Sequence, residues 1–442
     1  QIVSLPDAPE VTFNQFAGYL QVDEDTDLNY FYWMVECEGC EDPQSAPVAL
    51  WTNGGPGCSG LTGFMTEQGP FRPQANGTLR KNDYAWNQVA NMLFIEQPVG
   101  VGFSYSTTRT DYIGVGDDDA AMYNYKLILK FLERFPEFQT NDFYITAESY
   151  GGHYMPTLAK YIVDNNDDGA INFRGFAVGN PYTDPVENTI GTVDTIYGHQ
   201  LVPRPTYLKW LNRCKNGERQ TSYCQALQAK MWNKQMGNLN PYALDYPVCL
   251  DDSGARKFTP QQARFLYATK GPLVQAAAGL PGDPEDYDPC ADDYATTYLN
   301  RDDVKAAIHA NPEITWGECS IKTTYGHLVY NYSWSDVPME PYYQYLLASD
   351  YSPALKMLVF SGDDDSVCGT IGTQTWIYDL GYNVTSEWEA WTYEGQVSGY
   401  VTKFEGYSFA TVHGAGHEVP TYKPAQALSL ISAFFNGDDW LM

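Results

Sequence analysis

Long apolar runs are missing from this chain. Nothing in its 442 residues approaches the ~18 consecutive apolar residues of a membrane span, which excludes a membrane-spanning helix. Basic residues are scarce: Lys and Arg number 26 against 55 Asp and Glu, a formal net charge of −29. Such a surface repels nucleic acid and anionic membranes and suits an acidic compartment, where many carboxylates are neutralised. Histidine is rarer still, with six in all, so few residues can act as a base near neutrality. No internal repeat is visible. No signal-peptide pattern stands at Gln1, and a processed N-terminus is expected.

Cysteine and aromatic residues, by contrast, are plentiful. Hydrophobic content is 43% and aromatic content 15%, enough for a sizeable core, and 35 Tyr with 11 Trp suggest aromatic-lined surfaces. The length suits one large domain with an insertion, or two to three ordinary domains. Nine Cys and three N-x-[ST] sites, at Asn76, Asn331 and Asn383, point to a secretory or lysosome/vacuole-like route with glycan attachment. An odd Cys count implies at least one unpaired thiol in an otherwise oxidised monomer. Cys37-x-x-Cys40 lacks a second ligand pair nearby, which favours a local disulfide over zinc; no metal site is expected.

Hydrophobic periodicity divides the chain in three. Phe16 to Val22 and Asn29 to Val35 alternate as antiparallel or edge strands. Short apolar runs at Val48 to Trp51, Met92 to Ile95, Phe143 to Thr146 and Phe173 to Val178 read as buried strands. A helix over Asp117 to Phe135 sits among them, and the alternation gives α/β with a mostly parallel sheet. This first part spans 1–181. From 182 to 316 the alternation stops. Helical stretches near Pro205 to Leu211, Gln220 to Met236 and Pro260 to Ala268 alternate with Pro-rich loops, and Cys214, Cys224, Cys249 and Cys290 fall here. This reads as an inserted cap stapled by disulfides. The α/β pattern returns within 317–442. Leu355 to Ser361 is a strand, Thr370 to Leu380 a helix, and three strands lie between Ser386 and Val412. A closing helix runs from Pro424 to Phe435.

The stretch that organises the rest is Phe143 to Gly152. A buried strand runs into Ala147-Glu-Ser-Tyr-Gly151, then into a helix from His153 to Val163. Strand, tight turn, Ser, helix is the context of a nucleophile elbow, which needs small neighbours because the Ser sits at strained backbone angles. The Tyr150 N–H, at the helix N-terminus, lies where an oxyanion would form. A nucleophilic Ser needs a base and an orienting acid, carried on loops after later strands in the order Ser, acid, His. Asp365 follows a strand. His417 lies in a Gly-flanked loop after the last one, with His413 as its competitor. Upstream, Asn53-Gly-Gly-Pro-Gly-Cys-Ser59 forces a tight loop with exposed N–H groups but lacks the Lys-Ser/Thr ending of a phosphate-binding loop.

Together Asn53 to Ser59, Ala147 to Gly152, Gly362-Asp-x-Asp365 and Gly414-Ala-Gly-His-x-Val-Pro420 resemble the serine carboxypeptidase family, as does Gln97 to Ser106. The resemblance covers nearly the whole chain. It departs at Ala147, where Gly is usual, and at Gly60, where Ser is common. It implies an α/β-hydrolase fold with an inserted, largely helical, disulfide-stapled cap. The implied enzyme is a serine-type carboxypeptidase that releases single C-terminal residues at acidic pH through an acyl-enzyme, without a cofactor. Ser149 becomes the nucleophile, His417 the base and Asp365 its orienter, with Asp363 and Asp364 as alternatives for the acid. Gly55 and Tyr150 would supply the oxyanion hole. Asn53, Gly54, Glu67 and Glu148 would hold the substrate's C-terminal carboxylate, and Glu418 would border the leaving-residue pocket. The implied pairings are Cys58–Cys319, Cys214–Cys224 and Cys249–Cys290; Cys37–Cys40 and a free Cys368 near the site follow for the remainder. Cys368 is read as a mercury- or oxidant-sensitive thiol that takes no part in catalysis. Partners are peptide or protein C-termini, not nucleic acid or membrane, with a homodimer as one option, and the location secreted or lysosomal/vacuolar. Two alternatives stay open: an acyltransferase on the same scaffold, and a non-catalytic binding or protective protein.

Overall fold

The computed structural model describes residues 1–215, 221–261, 287–320 and 325–437. Six parallel strands form its centre. In spatial order they are Asn91–Ile95, Val48–Thr52, Phe143–Glu148, Phe173–Gly179, Lys356–Gly362 and Tyr407–Val412. The second, third and first of these are buried at every position, which is why they read as unbroken apolar runs and not as alternations. Antiparallel strands flank the parallel block. Gln15–Asp23 and Leu28–Val35 lie on one side, Gln396–Phe404 and Val384–Tyr393 on the other. The outermost strand, Val384–Tyr393, is mostly exposed. Strand ends differ from the sequence reading by a residue or two, except that the strand expected over Gly399 to Phe404 begins three residues earlier, at Gln396.

Helices cover both faces of the sheet. On one, Asp117–Arg134 and Gly151–Asn165 bury Leu127, Ile128, Phe131, Met155, Leu158 and Ile162 against it. Asp117, Asp118 and Asp119 complement the first helix's N-terminal dipole, and Pro136 follows its end. On the other face lie Gly60–Thr66 and Pro424–Asn436, with Leu61, Phe64, Leu430, Ile431 and Phe434 buried. The elbow helix starts at Gly151, two residues earlier than the periodicity suggested.

Among the described residues, nothing between Gly179 and Lys356 adds a strand to the central sheet. Pro185–Gly198, Arg204–Arg213 and Ser222–Lys230 are helices there, the last continuing as a π-helical turn over Met231–Met236. They share a small core of their own around Trp210, Met231 and Trp232. The first of them escaped the sequence reading; Asp184 caps it by accepting from the Val186 and Glu187 N–H groups. Most of the helix expected over Pro260 to Ala268 lies outside the described residues. Further along, Ala291–Leu299 and Asp302–Ala307 bury Ala295, Tyr298, Leu299 and Val304 in the cluster that covers the central sheet. Disulfides join Cys37 to Cys40, Cys58 to Cys319, Cys214 to Cys224 and Cys249 to Cys290, and Cys368 is free. No described helix is long and apolar enough to cross a membrane.

Candidate active site

The parallel strands end in register, and their carboxyl ends gather the residues singled out above. Glu148 pairs with Gly179, Gly179 with Phe360, and Gly362 with Val412. Ser149, Asn180, Asp363 to Asp365 and His413 therefore leave the sheet along one edge, where open α/β sheets place their ligands. Ser149 has φ +59°, left-handed backbone that a non-glycine residue adopts only under constraint. The constraint is visible: Ser149 N–H donates to Gly179 O at 3.0 Å, and the Gly152 and Tyr182 N–H groups donate to Ser149 O at 2.9 and 2.8 Å. The side chain of Ser149 is half-buried.

His417 and Asp365 are fully buried partners. His417 Nδ1 lies 2.7 Å from Asp365 Oδ2. The Asp365 carboxylate also accepts from Val367 N–H at 2.6 Å, Cys368 N–H at 3.1 Å and Asn180 Nδ2 at 2.9 Å. Acceptance by the carboxylate fixes the proton on Nδ1 and leaves Nε2 as the lone-pair nitrogen; Nε2 is buried and makes no hydrogen bond among the described residues. Burial pushes the imidazolium down, but Asp365 more than offsets this, and His417 ends above its ordinary value. His413 forms a separate pair with Asp363 at 2.8 Å, two-thirds exposed. Asp364 turns away, accepting from Asp245 N–H at 3.0 Å. The three neighbouring aspartates thus have three different tasks.

Two residues at this centre were not singled out from the sequence. Asn180 bridges two strand ends, accepting from Gly362 N–H at 2.9 Å and donating to Asp365. A Gly-Asn-Pro turn at the end of a buried strand was the available signal. Tyr242, from the inserted segment, accepts the His417 N–H on its carbonyl at 2.7 Å and packs its ring edge-on to the imidazole at 4.9 Å.

The Gly-rich loop lies against the elbow. A Cβ on Gly54 would stand 2.4 Å from Tyr150 N and 2.8 Å from Ser149 Cβ, so only glycine lets the two backbones approach. Asn53 begins this loop and is buried. Its Oδ1 accepts from Trp51 Nε1 at 2.8 Å and Gly63 N–H at 3.0 Å, which fixes the amide orientation. Nδ2 must then face the two acids it serves, Glu67 Oε1 at 2.7 Å and Glu148 Oε1 at 2.9 Å. Both acids are buried and meet at the same Asn53 amide nitrogen, so burial and their proximity favour the protonated form of at least one. Burial lifts Glu67 to about 7. Burial, with the charges of Glu67 and Glu418, lifts Glu148 well above the carboxylate range. Glu418, half-buried and accepting from the Tyr422 hydroxyl at 3.2 Å, is lifted to about 8 by burial and by Glu67.

Cys368 sits beside the Asp365–His417 pair but is 2% exposed. Burial, then the charges of Asp365 and Glu148, push its thiol well up, so the oxidant-sensitive thiol expected from the sequence lacks the thiolate character and exposure that such reactivity needs. The sequon residues Asn76, Asn331 and Asn383 are all exposed.

Comparison with known proteins agrees with this geometry. A family model described as serine carboxypeptidase matches residues 6–437. Serine carboxypeptidase 24 of Arabidopsis thaliana is 37% identical over 448 residues, covering 99% of this chain and 92% of that protein. Serine carboxypeptidase-like 26 of the same plant is 36% identical, covering 99% and 92%. The crystal structure of a prohormone-processing carboxypeptidase from Saccharomyces cerevisiae superposes with a TM-score of 0.72 at 21% identity, covering 96% of this chain and 91% of that one, and carries the same fold. The chain belongs to the serine carboxypeptidase family.

Proposed function

We propose that this enzyme removes single residues from the C-termini of peptides and proteins at acidic pH, with Ser149, His417 and Asp365 as its triad. The observation that carries this reading is the Asn53 amide, held in one orientation against two buried acids beside the elbow. An exopeptidase must recognise a carboxylate one residue beyond the scissile carbonyl. Asn53 Nδ2 and a protonated Glu67 or Glu148 are donors for it. An enzyme reading only an acyl group has no use for such donors.

In this scheme Ser149 Oγ attacks the carbonyl of the last peptide bond while His417 Nε2 takes its proton. The negative oxygen rests on the N–H groups of Gly55 and Tyr150. Collapse breaks the C–N bond, and His417 returns the proton to the leaving amine. Water then repeats the sequence to free the acyl chain. Asp365 holds the ring and stabilises its cationic form. Glu418 borders the leaving residue. The four disulfides and the raised buried acids suit an oxidising, acidic compartment, secretory or vacuolar.

The test offers an N-blocked dipeptide, as free acid and as C-terminal amide, in water containing an alcohol. Release of the free C-terminal amino acid, with much slower turnover of the amide, is the expected result. Predominant transfer of the acyl group to the alcohol, at equal rates from both substrates, would overturn the reading in favour of an acyltransferase.

A further inference from the structure

A second buried acid–histidine pair lies beneath the elbow, outside the proposed triad. Asp117 and His153 are both fully buried, with His153 Nδ1 2.8 Å from Asp117 Oδ2. The other oxygen, Oδ1, accepts from the Tyr150 hydroxyl at 3.2 Å and from the Tyr330 hydroxyl. Burial, together with the Asp117 charge, holds both hydroxyls protonated, so they act as donors. One carboxylate therefore collects three donors, two of them from the first turn of the elbow helix.

These anchors reach the backbone that would hold the oxyanion. Tyr150 directly follows Ser149. Its ring stacks on His153 at 4.5 Å and 11°, and Tyr182, whose N–H holds Ser149 O, stacks near both. One turn on, the Tyr154 hydroxyl accepts from Gly57 N–H at 3.2 Å, two residues past Gly55 in the Gly-rich loop. The Tyr150 N–H is thus tied to the turn that Asp117 holds, and the Gly-rich loop to the next turn of the same helix. Asp117 fixes the first turn from a different helix, seated in the core by Ala120, Ala121 and Leu127. Donors of this kind work only when aimed at the oxyanion to within a fraction of an ångström.

We infer that Asp117 and His153 are positioning residues for the oxyanion hole, acting by fixing the first turn of the elbow helix and with it the Tyr150 N–H. The inference rests on the triad and oxyanion assignment above. The step concerned is formation of the Ser149 Oγ–carbon bond as the carbonyl π pair moves onto oxygen. A loosened turn should raise that barrier while leaving the bound ground state alone.

Tyr150→Phe keeps the ring and removes one donor to Asp117; Asp117→Asn keeps the shape and removes the charge. Each is measured in the full-length enzyme for kcat and KM on an N-blocked dipeptide. Each is also measured for affinity toward an N-acylated amino aldehyde, which forms a hemiacetal with Ser149, relative to the matching alcohol, which cannot. The expected result is a roughly tenfold loss in kcat at unchanged KM, well short of the ~10²–10³ lost when a donor is removed outright. The aldehyde-over-alcohol ratio should fall by the same factor. Unchanged kcat and an unchanged ratio, whatever happens to thermal stability, or a change in KM alone, would overturn the inference. If Tyr150→Phe does not fold, Tyr330→Phe removes a donor to the same carboxylate from outside the elbow helix and carries the same test. Ser149→Ala separates the layers. An active Ser149→Ala enzyme defeats the triad assignment itself, whereas an inactive one beside an unaffected Tyr150→Phe defeats only the positioning role.

Discussion

His413–Asp363 and His417–Asp365 have nearly the same length, 2.8 and 2.7 Å, and differ in everything else. The first pair is exposed, where an ion pair contributes little. The second is closed off from water and braced by Asn180 and two backbone N–H groups. His413→Ala should keep full activity. His417→Ala and Ser149→Ala should each lose about 10⁶ in kcat, as other triads do; steady-state assays on a blocked dipeptide, with circular dichroism to check folding, decide this. The carboxyl pair makes a different prediction. Glu67, lifted to about 7, ionises as pH rises through neutrality, and the pair then presents negative charge to the substrate's carboxylate. KM for free-acid peptides should climb on the alkaline side, while amide-capped substrates keep a flatter profile. Glu148→Gln retains a donor at every pH and should flatten the climb; identical alkaline limbs in all three measurements would exclude the pair as the sensor. A carboxylate at Glu418, bordering the leaving residue, would favour Lys or Arg there, but only while it is ionised. Lifted to about 8, it is neutral at acidic pH and attracts a cation little there. The ratio of kcat/KM for C-terminal Lys over Leu should therefore rise between pH 5 and pH 8, and Glu418→Met should leave it constant.

At the scale of elements, the elbow shows how a departure from the family pattern is absorbed. Ala147 stands where Gly is usual, and a Cβ on Gly151 would lie 2.4 Å from the Ala147 Cβ. The turn therefore accommodates one methyl at this contact but not two. Gly151→Ala should destabilise the protein by roughly 1–3 kcal/mol, the usual cost of overpacking, and Ala147→Gly in the same chain should restore most of it. Thermal melts of the single and double variants measure this, and additive losses would show that the two positions do not collide. What could be read from the sequence follows from the same physics. Strands buried on both faces announce themselves as apolar runs, and the strand–Ser–helix turn is local, so the elbow was legible from ten residues. Asn180 was not, because its partner Asp365 lies 185 positions away. Asp117, His153 and Tyr330 escaped for the same reason, converging only once the helices pack. The helices Pro185–Gly198 and Ala291–Leu299 were missed because their stretches, set among Pro-rich loops, present no clean strand–helix alternation. The disulfide pairing came from family resemblance, since spacing alone leaves many pairings open.

Taken as a whole, the molecule concentrates buried and half-buried acids whose protons are held more tightly in the folded state. Burial lifts Glu67 and Glu96 to about 7, Glu418 to about 8 and Asp292 to about 6. Glu96 is the structural example. It accepts from the Ser59 hydroxyl at 2.5 Å, Phe103 N–H at 2.6 Å and Trp316 Nε1 at 2.7 Å, joining three distant segments. Each of these groups binds its proton more tightly folded than unfolded, where carboxyls titrate near 4. Stability from them is complete below the unfolded value and is lost as pH rises through the folded one, because above pH ~4 the folded chain holds more protons than the unfolded chain. His417, also raised, adds in the same direction. The formal charge of −29 reinforces the trend, since mutual repulsion grows as the surface acids ionise. The predicted consequence is an enzyme most stable at mildly acidic pH that weakens progressively from about pH 5 to pH 8. Urea unfolding at fixed intervals across that range measures it directly. Glu96→Gln, which removes one titrating group while keeping an acceptor for the Trp316 donor, should reduce the slope. A midpoint that is level or rises between pH 5 and pH 8 would mean that the buried acids are compensated elsewhere, and would remove the thermodynamic argument for an acidic working compartment.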